Sequence, residues 1–375
     1  LIIKNILLEN FDVTIISGTE RFEKDILRYC RYISWPILKT KYKPFEWLKI
    51  LANIKVIRKL IEYADMVYIP SHTLLPLAII VKNIKPSVKV ILHLHNYQVL
   101  TFTSVILTNR EPDLATDMIV ERGEHCSLLR ALAAGIGHYM NKVNELALYY
   151  ADKIICVSKK QHEILTKYIP ILQTKAIVTY NPPPPLPNME KELSKIPTIL
   201  YCGGGSFTKG FHIVVKALAK ILPRINCNIY IAGELSVKHR SILNKISKIS
   251  SHRRLVILGR VPHDKLVALH RELWALLFPS VSQEPLPYTI IESCLLGTTP
   301  IASKDSGASE ILKNTPAFLC QPTVEDVVHA IETICSLDTT SIKEIGIRLS
   351  NAVRRKLDHS YRVLKCFFLD LSNDN

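Results

Sequence analysis

Glu284 and Glu292, with seven residues between them in "QEPLPYTIIESCLLGTTPIAS", are the carboxylates of this chain best spaced for joint chemistry. The apolar run "WALLFPS" ahead of them reads as a strand that delivers a loop near Ser280, and "PYTIIESCLLG" as a helix ending at Gly297. The first carboxylate then sits in the loop and the second inside the helix. So placed, they can accept hydrogen bonds from sugar hydroxyls, while the helix N-terminus between them offers free N–H groups to a phosphate. That combination suits a nucleotide-sugar. A glutamate on a helix is also commonly part of a solvated face, and the pair alone leaves both readings open.

A second element lies upstream, in "TILYCGGGSFTKGFHIVVKALAKIL". It reads as a strand over 198–202, a glycine turn at Gly203, Gly204 and Gly205, and then Lys209-Gly210 opening a helix. The apolar residues of that helix, Ile213, Val214, Ala217, Leu218, Ile221 and Leu222, fall on one face. Glycines let the backbone approach a pyrophosphate closely, and Lys209 supplies a cation for it. The order Lys209-Gly210-Phe211 is not that of a nucleoside-triphosphate P-loop, where the lysine follows the second glycine and precedes Ser or Thr. The G-x-G-x-x-G spacing of a dinucleotide site is missing too.

Taken in order, the strand, glycine turn and Lys-Gly, then Gly259 closing "LVILG", then "FPS…E-P…E" and "GASEIL", resemble the retaining GT-B glycosyltransferases of the group-4 family, also called glycosyl transferases group 1. Upstream, "VKVILHLHNY" is similar to that family's strand ending in a histidine near the sugar, and "YYADKIICVS" and "VTYNP" to its signatures at the end of the first domain. The resemblance runs from about residue 10 through nearly the whole chain. It implies an α/β fold of GT-B type, two doubly wound Rossmann-like domains facing a cleft, with ligands outside the carboxyl ends of the strands.

The resemblance also assigns roles. Lys209 is expected at the donor diphosphate, Glu292 at the ribose hydroxyls and Glu284 at a hydroxyl of the transferred sugar. Gly203 and Gly204 shape the phosphate turn, and Gly259, Arg260 and Val261 read the base largely through backbone groups. His95 is expected to face the sugar from the acceptor side, although His93 and His95 alternate with leucines and one of them could be an ordinary core histidine. Two residues depart from the family's pattern. Gly204 stands where an arginine often grips the phosphate, so phosphate binding leans on Lys209, a point charge rather than a bidentate fork. Pro287 stands where a glycine is usual and offers no N–H, leaving the amides of Tyr288 and Thr289 to serve.

The elements that must position these residues alternate between strand and helix. "ADMVYIP", "KVILHLHN" and "KIICVSK" read as strands of a parallel sheet covered on both faces. Residues 110–137 are less patterned and read as an acceptor-side loop and helix. Pro182 to Pro185, with Pro187 and Pro197, fit neither a helix nor a central strand. The expected domains are therefore 1–180, a linker over 181–197, a donor-binding domain over 198–355, and a C-terminal helix over 356–375 that crosses back to the first. Residues 1–9 read as the last part of a helix before the strand "FDVTIIS". The resemblance implies a strand and a glycine-rich turn before them, so a missing N-terminal segment is expected.

Composition narrows the setting. With 375 residues the chain has room for two cores. A formal charge of +15 points to an anionic surface or substrate, and it is spread over both halves rather than gathered in a nucleic-acid-binding tail. The sharpest local excess lies at 35–60, where Lys39, Lys41, Lys43, Lys49, Lys55, Arg58 and Lys59 face only Glu46 and alternate with Trp35, Tyr42, Phe45 and Trp47. Basic side chains with aromatic anchors suit the headgroup layer of an anionic membrane, and a solvated helix with ordinary core aromatics accounts for them equally well. Nine cysteines lie singly, without zinc-type spacing, which implies a reducing, cytoplasmic setting. The apolar runs are too short or too interrupted to span a bilayer, so any membrane contact is expected to be peripheral, on the inner face.

The chain has no Asp-x-Asp, so no metal or other cofactor is expected and Lys209 must answer the charge of the departing nucleotide. The sequence reading is a retaining, metal-independent transfer of a sugar from a nucleotide-diphosphate donor to a hydroxyl of a glycan, lipid or lipid-linked acceptor. Two alternatives stay open: a nucleotide-sugar epimerase, which needs further carboxylates such as Glu121 and Glu124 near the sugar, and a catalytically weak GT-B subunit that binds a partner.

Overall fold

Parallel strands buried on both faces must be apolar along most of their length, and the runs 90–92, 154–156, 199–201 and 275–278 are apolar and buried throughout. The computed structural model describes residues 2–19, 28–39, 43–182, 184–249 and 254–373. They divide into two compact units: residues 1–100, 139–182 and 357–375 form unit 1, and residues 101–138 and 183–356 form unit 2.

In unit 1, β1 (Thr14–Ser17) and β2 (Arg31–Ser34) pair in parallel as a separate two-stranded sheet. A four-stranded parallel sheet follows in sequential order: β3 (Met66–Ile69), β4 (Lys89–Leu94), β5 (Lys153–Cys156) and β6 (Ala176–Val178). Val90, Ile91 and Leu92 on β4, with Ile154 and Ile155 on β5, are wholly buried. One face of the sheet is covered by Leu364, Phe368 and Leu371 together with Ile6 and Leu7. These come from the helix Thr339–Asn373 and from the short N-terminal helical stretch expected before the first strand. The long helix starts well before residue 356, and its residues from Leu357 onward belong to unit 1.

Unit 2 holds six parallel strands: β7 (Thr198–Tyr201), β8 (Asn228–Ala232), β9 (Leu255–Gly259), β10 (Ala275–Phe278), β11 (Thr299–Ser303) and β12 (Phe318–Cys320). Their spatial order is β9-β8-β7-β10-β11-β12, so the winding reverses between β7 and β10. This is the Rossmann order, whose ligand crevice lies outside the carboxyl ends of the strands at the reversal. The helix Phe211–Ile221 buries the face read from its periodicity, with Ile213, Val214, Ala217, Leu218 and Ile221 all in the core. Between the units in sequence, residues 182 and 184–197 form neither helix nor strand.

Residues 110–137 differ from their sequence reading. They form two helices, Leu114–His125 and Leu128–Gly137, each capped by its own Asp or Ser, and they group with unit 2 rather than with the first domain. Their weak apolar periodicity has a physical cause: Leu128, Leu129, Leu132 and Ile136 all stay exposed. No helix among the described residues is long and apolar enough to cross a membrane.

Candidate functional site

The site grows from the two loops that leave the reversal point of unit 2. After β7 the chain turns through Gly203 and Gly204. Gly204 has φ +56°, and a Cβ there would lie 2.6 Å from the carbonyl oxygen of Glu234. Only glycine fits that position, because an L side chain is strained in the left-handed region and would have no space beside Glu234. The absence of the family's arginine is thus built into the backbone. Gly204 N–H donates to Ala232 O at 3.0 Å and Gly233 N–H to Gly259 O at 2.6 Å, so the phosphate turn and the segment expected to read the base share one glycine-packed edge. Arg260 points out and pairs with Glu234 at 3.0 Å, while Val261 is half-buried.

Lys209 ends the same loop, directly before Gly210, whose φ of +78° opens the helix Phe211–Ile221. Its ammonium lies 2.6 Å from Glu284 Oε1 and 5.3 Å from the centre of the Phe278 ring. Glu284 sits in the loop after β10, as read from the sequence. The same carboxylate oxygen accepts from Ser282 Oγ at 2.8 Å and Ser280 Oγ at 3.2 Å. The loop itself is fixed from two sides. Ser303 Oγ on β11 donates to Ser280 O at 2.6 Å, and Gly307 N–H donates to Glu284 O at 2.6 Å. A Cβ on Gly307 would meet Pro285 O at 1.8 Å, which explains the glycine that opens "GASEIL".

Glu292 lies within the helix Tyr288–Leu295, with Pro287 as its N-cap. The N–H groups of Ile290 and Ile291 bond to Pro287 O, and among the described residues those of Tyr288 and Thr289 meet no backbone carbonyl. These two amides stand where the sequence reading needed donors in place of Pro287. Glu292 Oε1 faces His263 Nε2 at 2.9 Å. Beneath the helix, burial first pushes the Cys202 thiol up to about 11, so it stays protonated at neutral pH.

His95 belongs to unit 1, where it follows β4 directly. Its ring stacks on that of His93 at 4.2 Å, and Nδ1 is 3.5 Å from Asn181 Nδ2. His95 is solvent-exposed, yet the surrounding protein and then the charge of His72 push its pKa down to about 4. It is a neutral imidazole at neutral pH. His93 is the buried member of the pair, with Nδ1 2.7 Å from the Tyr68 hydroxyl and, among the described residues, no hydrogen-bond partner at Nε2.

Sequence reasoning missed Ser280, Ser282, Ser206, Thr208 and His263, and left Glu121 and Glu124 unplaced. The alternation of hydroxyls in "SVSQE" was the available signal, since every second residue of an extended loop faces one side. Neither glutamate is a free acid or base. Glu121 bonds Arg130 Nε at 3.1 Å, and Glu124 accepts from Ser206 and Thr208. Among the described residues no three His, Cys, Asp or Glu side chains gather as a metal site.

Residues 187–346, which contain all of these unit 2 side chains except Glu121 and Glu124, match the family described as Glycosyl transferases group 1. A phosphatidylinositol N-acetylglucosaminyltransferase subunit from Arabidopsis thaliana is 25% identical over 244 residues, 61% of this chain and 53% of that protein. An uncharacterized glycosyltransferase of Methanocaldococcus jannaschii is 32% identical over 117 residues, 31% of this chain and 29% of its own. The chain thus spans about half the length, or less, of the curated relatives it matches. Among solved structures, sucrose-phosphate synthase from Thermosynechococcus elongatus superposes with a TM-score of 0.71 at 16% identity, covering 98% of this chain and 89% of that one. Anabaena HepE in complex with UDP and glucose superposes with a TM-score of 0.65 at 17% identity, covering 96% and 91%. The chain has the GT-B fold, and its residues 187–346 match the glycosyl transferases group 1 family.

Proposed function

We propose that the chain transfers a sugar from a nucleotide-diphosphate sugar to a hydroxyl acceptor, with retention at the anomeric carbon and without a metal. One observation carries the reading: Lys209 and Glu284 meet at 2.6 Å outside the carboxyl ends of β7 and β10, at the reversal of a Rossmann sheet. Lys209 and the amides of Tyr288 and Thr289 hold the diphosphate and neutralise it as it leaves. Glu292 takes the ribose hydroxyls, Glu284 a hydroxyl of the transferred sugar, and the segment 259–261 the base. His95, in unit 1, is neutral at neutral pH and acts as a hydrogen-bonding group rather than as a cation.

For the acceptor we favour a lipid on an anionic membrane. The name of the Arabidopsis relative, with its phosphatidylinositol and its mention of a subunit, supports a lipid hydroxyl and partner chains. Unit 1 adds a surface of matching chemistry: Phe45, Leu48 and Leu51 are exposed beside exposed Lys49, Lys55, Arg58 and Lys59. Lys41 and Tyr42, part of the same expectation, lie outside the described residues, as does the side chain of Lys43.

The deciding experiment incubates the protein with UDP-, GDP- and ADP-sugars, with and without phosphatidylinositol vesicles. Acceptor-dependent release of nucleoside diphosphate, with a product of unchanged anomeric configuration, supports the reading. Sugar interconversion without nucleotide release points to an epimerase, and binding without turnover to a non-catalytic subunit.

A further inference from the structure

We propose that Glu124 is a positioning residue for the donor loop, clamping residues 206–208 so that Lys209 is presented to Glu284 and to the donor. The inference rests on the donor-site reading above. Glu124 Oε1 accepts three hydrogen bonds from that loop, from Ser206 Oγ at 2.7 Å, Thr208 N–H at 2.9 Å and Thr208 Oγ1 at 2.7 Å. A carboxylate that gathers backbone and hydroxyl donors makes stronger bonds than a neutral acceptor, and it freezes the residue directly before Lys209. Its neighbour Gly123 lets the helix approach this closely, since a Cβ there would stand 2.5 Å from Cδ1 of Phe207.

The loop is held from its other side as well. Thr208 O accepts from Val281 N–H and from Ser280 Oγ, each at 3.0 Å, and Ser280 is one of the hydroxyls on Glu284. Residues 206–208 are thus caught between Glu124 and the Glu284 loop. The clamp has a fixed base. In the Glu124 helix, Leu114–His125, the buried carboxylate of Asp117 accepts from Phe102 N–H at 2.9 Å and from Thr103 N–H and Thr103 Oγ1 at 2.7 Å each, and it contacts His138 Nδ1 at 2.7 Å. A catalytic lysine carried on a glycine-rich turn needs such support, because a small displacement of a charged group costs much of its effect on the leaving group.

The test compares Glu124→Ala and Glu124→Gln with the wild type, using UDP, GDP and ADP as titrants and amide hydrogen exchange without ligand. Glu124→Ala is expected to weaken nucleoside-diphosphate binding about 10- to 30-fold, and Glu124→Gln, which keeps an oxygen acceptor, by about threefold. Acceptor KM should not move. Without nucleotide, Glu124→Ala should speed exchange at Phe207 and Thr208, with helix Phe211–Ile221 unchanged. Pairing Glu124→Ala with Thr208→Val should cost less than the two single losses added together, since both remove the bond between Thr208 Oγ1 and Glu124. Unaltered loop exchange together with unaltered affinity overturns the clamp. If the wild type binds no nucleotide while the exchange pattern changes as expected, the donor reading fails and the clamp stands as a loop anchor.

Discussion

Lys209 Nζ and Glu284 Oε1 stand 2.6 Å apart, and that oxygen already accepts from Ser282. The lysine has three donors and the pair is part-exposed, so an arriving diphosphate can recruit the ammonium without first breaking a buried ion pair. Charge near the leaving group matters most as it develops in the transition state. Lys209→Ala is therefore expected to lower kcat by about 10²- to 10³-fold, as loss of a preorganised electrostatic donor does elsewhere. Lys209→Arg should keep more turnover than Lys209→Ala. Steady-state kinetics with chelator controls decide it: if the Ala variant stays active and chelators abolish turnover, a metal rather than the lysine stabilises the leaving diphosphate.

Glu292 and His263 give a second expectation. His263 Nε2 meets one carboxylate oxygen of Glu292 at 2.9 Å, and the proposed function assigns the carboxylate to the ribose hydroxyls. Glu292→Ala should weaken nucleoside-diphosphate binding by about 1.5–3 kcal/mol, the cost of a lost charged acceptor. His263→Ala should cost less, because it removes only the orientation of that acceptor. Titration calorimetry reads both, and equal affinity in a folded Glu292→Ala protein removes this residue from the donor site.

The parts of this site carried by side chains of unusual spacing were legible in the sequence. Glu284 in a loop, Glu292 in a helix and Lys209 before a helix all stand where periodicity put them, because apolar runs fix strands and helices strongly. The clamp by Glu124 was not legible. It depends on which unit residues 101–138 join, and local pattern is silent on that when the helix leaves leucines in solvent. Glu46 shows the same limit. It counted as the lone acid of a basic stretch, yet it is buried, bonds Thr73 Oγ1 at 3.3 Å, and burial raises its pKa.

Gly204 looked like a lost arginine in the sequence and is a required glycine in the structure. Gly204→Arg is expected to destabilise rather than to restore phosphate binding. Its cost should be at least the roughly 1–3 kcal/mol of a strained backbone residue, with a further loss where the side chain meets Glu234 O at 2.6 Å. Chemical denaturation measures it. A Gly204→Arg protein as stable as wild type, with tighter nucleotide binding, overturns the backbone argument.

The pH dependence of Glu124 follows from its bonds. Burial pushes its pKa up, but bonds from Thr208, Ser206 and Phe207 outweigh burial and leave it below the ordinary value of 4.5. A carboxylate with a depressed folded pKa adds stability above its unfolded value and loses it as pH falls through the folded value. The stability difference between wild type and Glu124→Gln should thus be flat from neutral pH down to about the ordinary carboxylate range, and shrink below it. A difference that grows on acidification contradicts the ionised clamp.

Membrane docking by unit 1 is the last expectation. Exposed Phe45 and Leu48, each more than half accessible, cannot be explained by the core of their own helix, Lys43–Ala52. Basic side chains near an anionic bilayer contribute about 1 kcal/mol each, so Lys49, Lys55, Arg58 and Lys59 together suffice for reversible docking when apolar anchors insert beside them. Replacing the four with Gln should reduce sedimentation with vesicles containing anionic lipid, and raised salt should act alike because the attraction is screened. Phe45→Ser with Leu48→Ser should weaken binding even at low salt, which separates insertion from charge. A wild-type protein that ignores anionic vesicles at low salt leaves this face an ordinary solvated surface, and the acceptor must then be sought among soluble glycans.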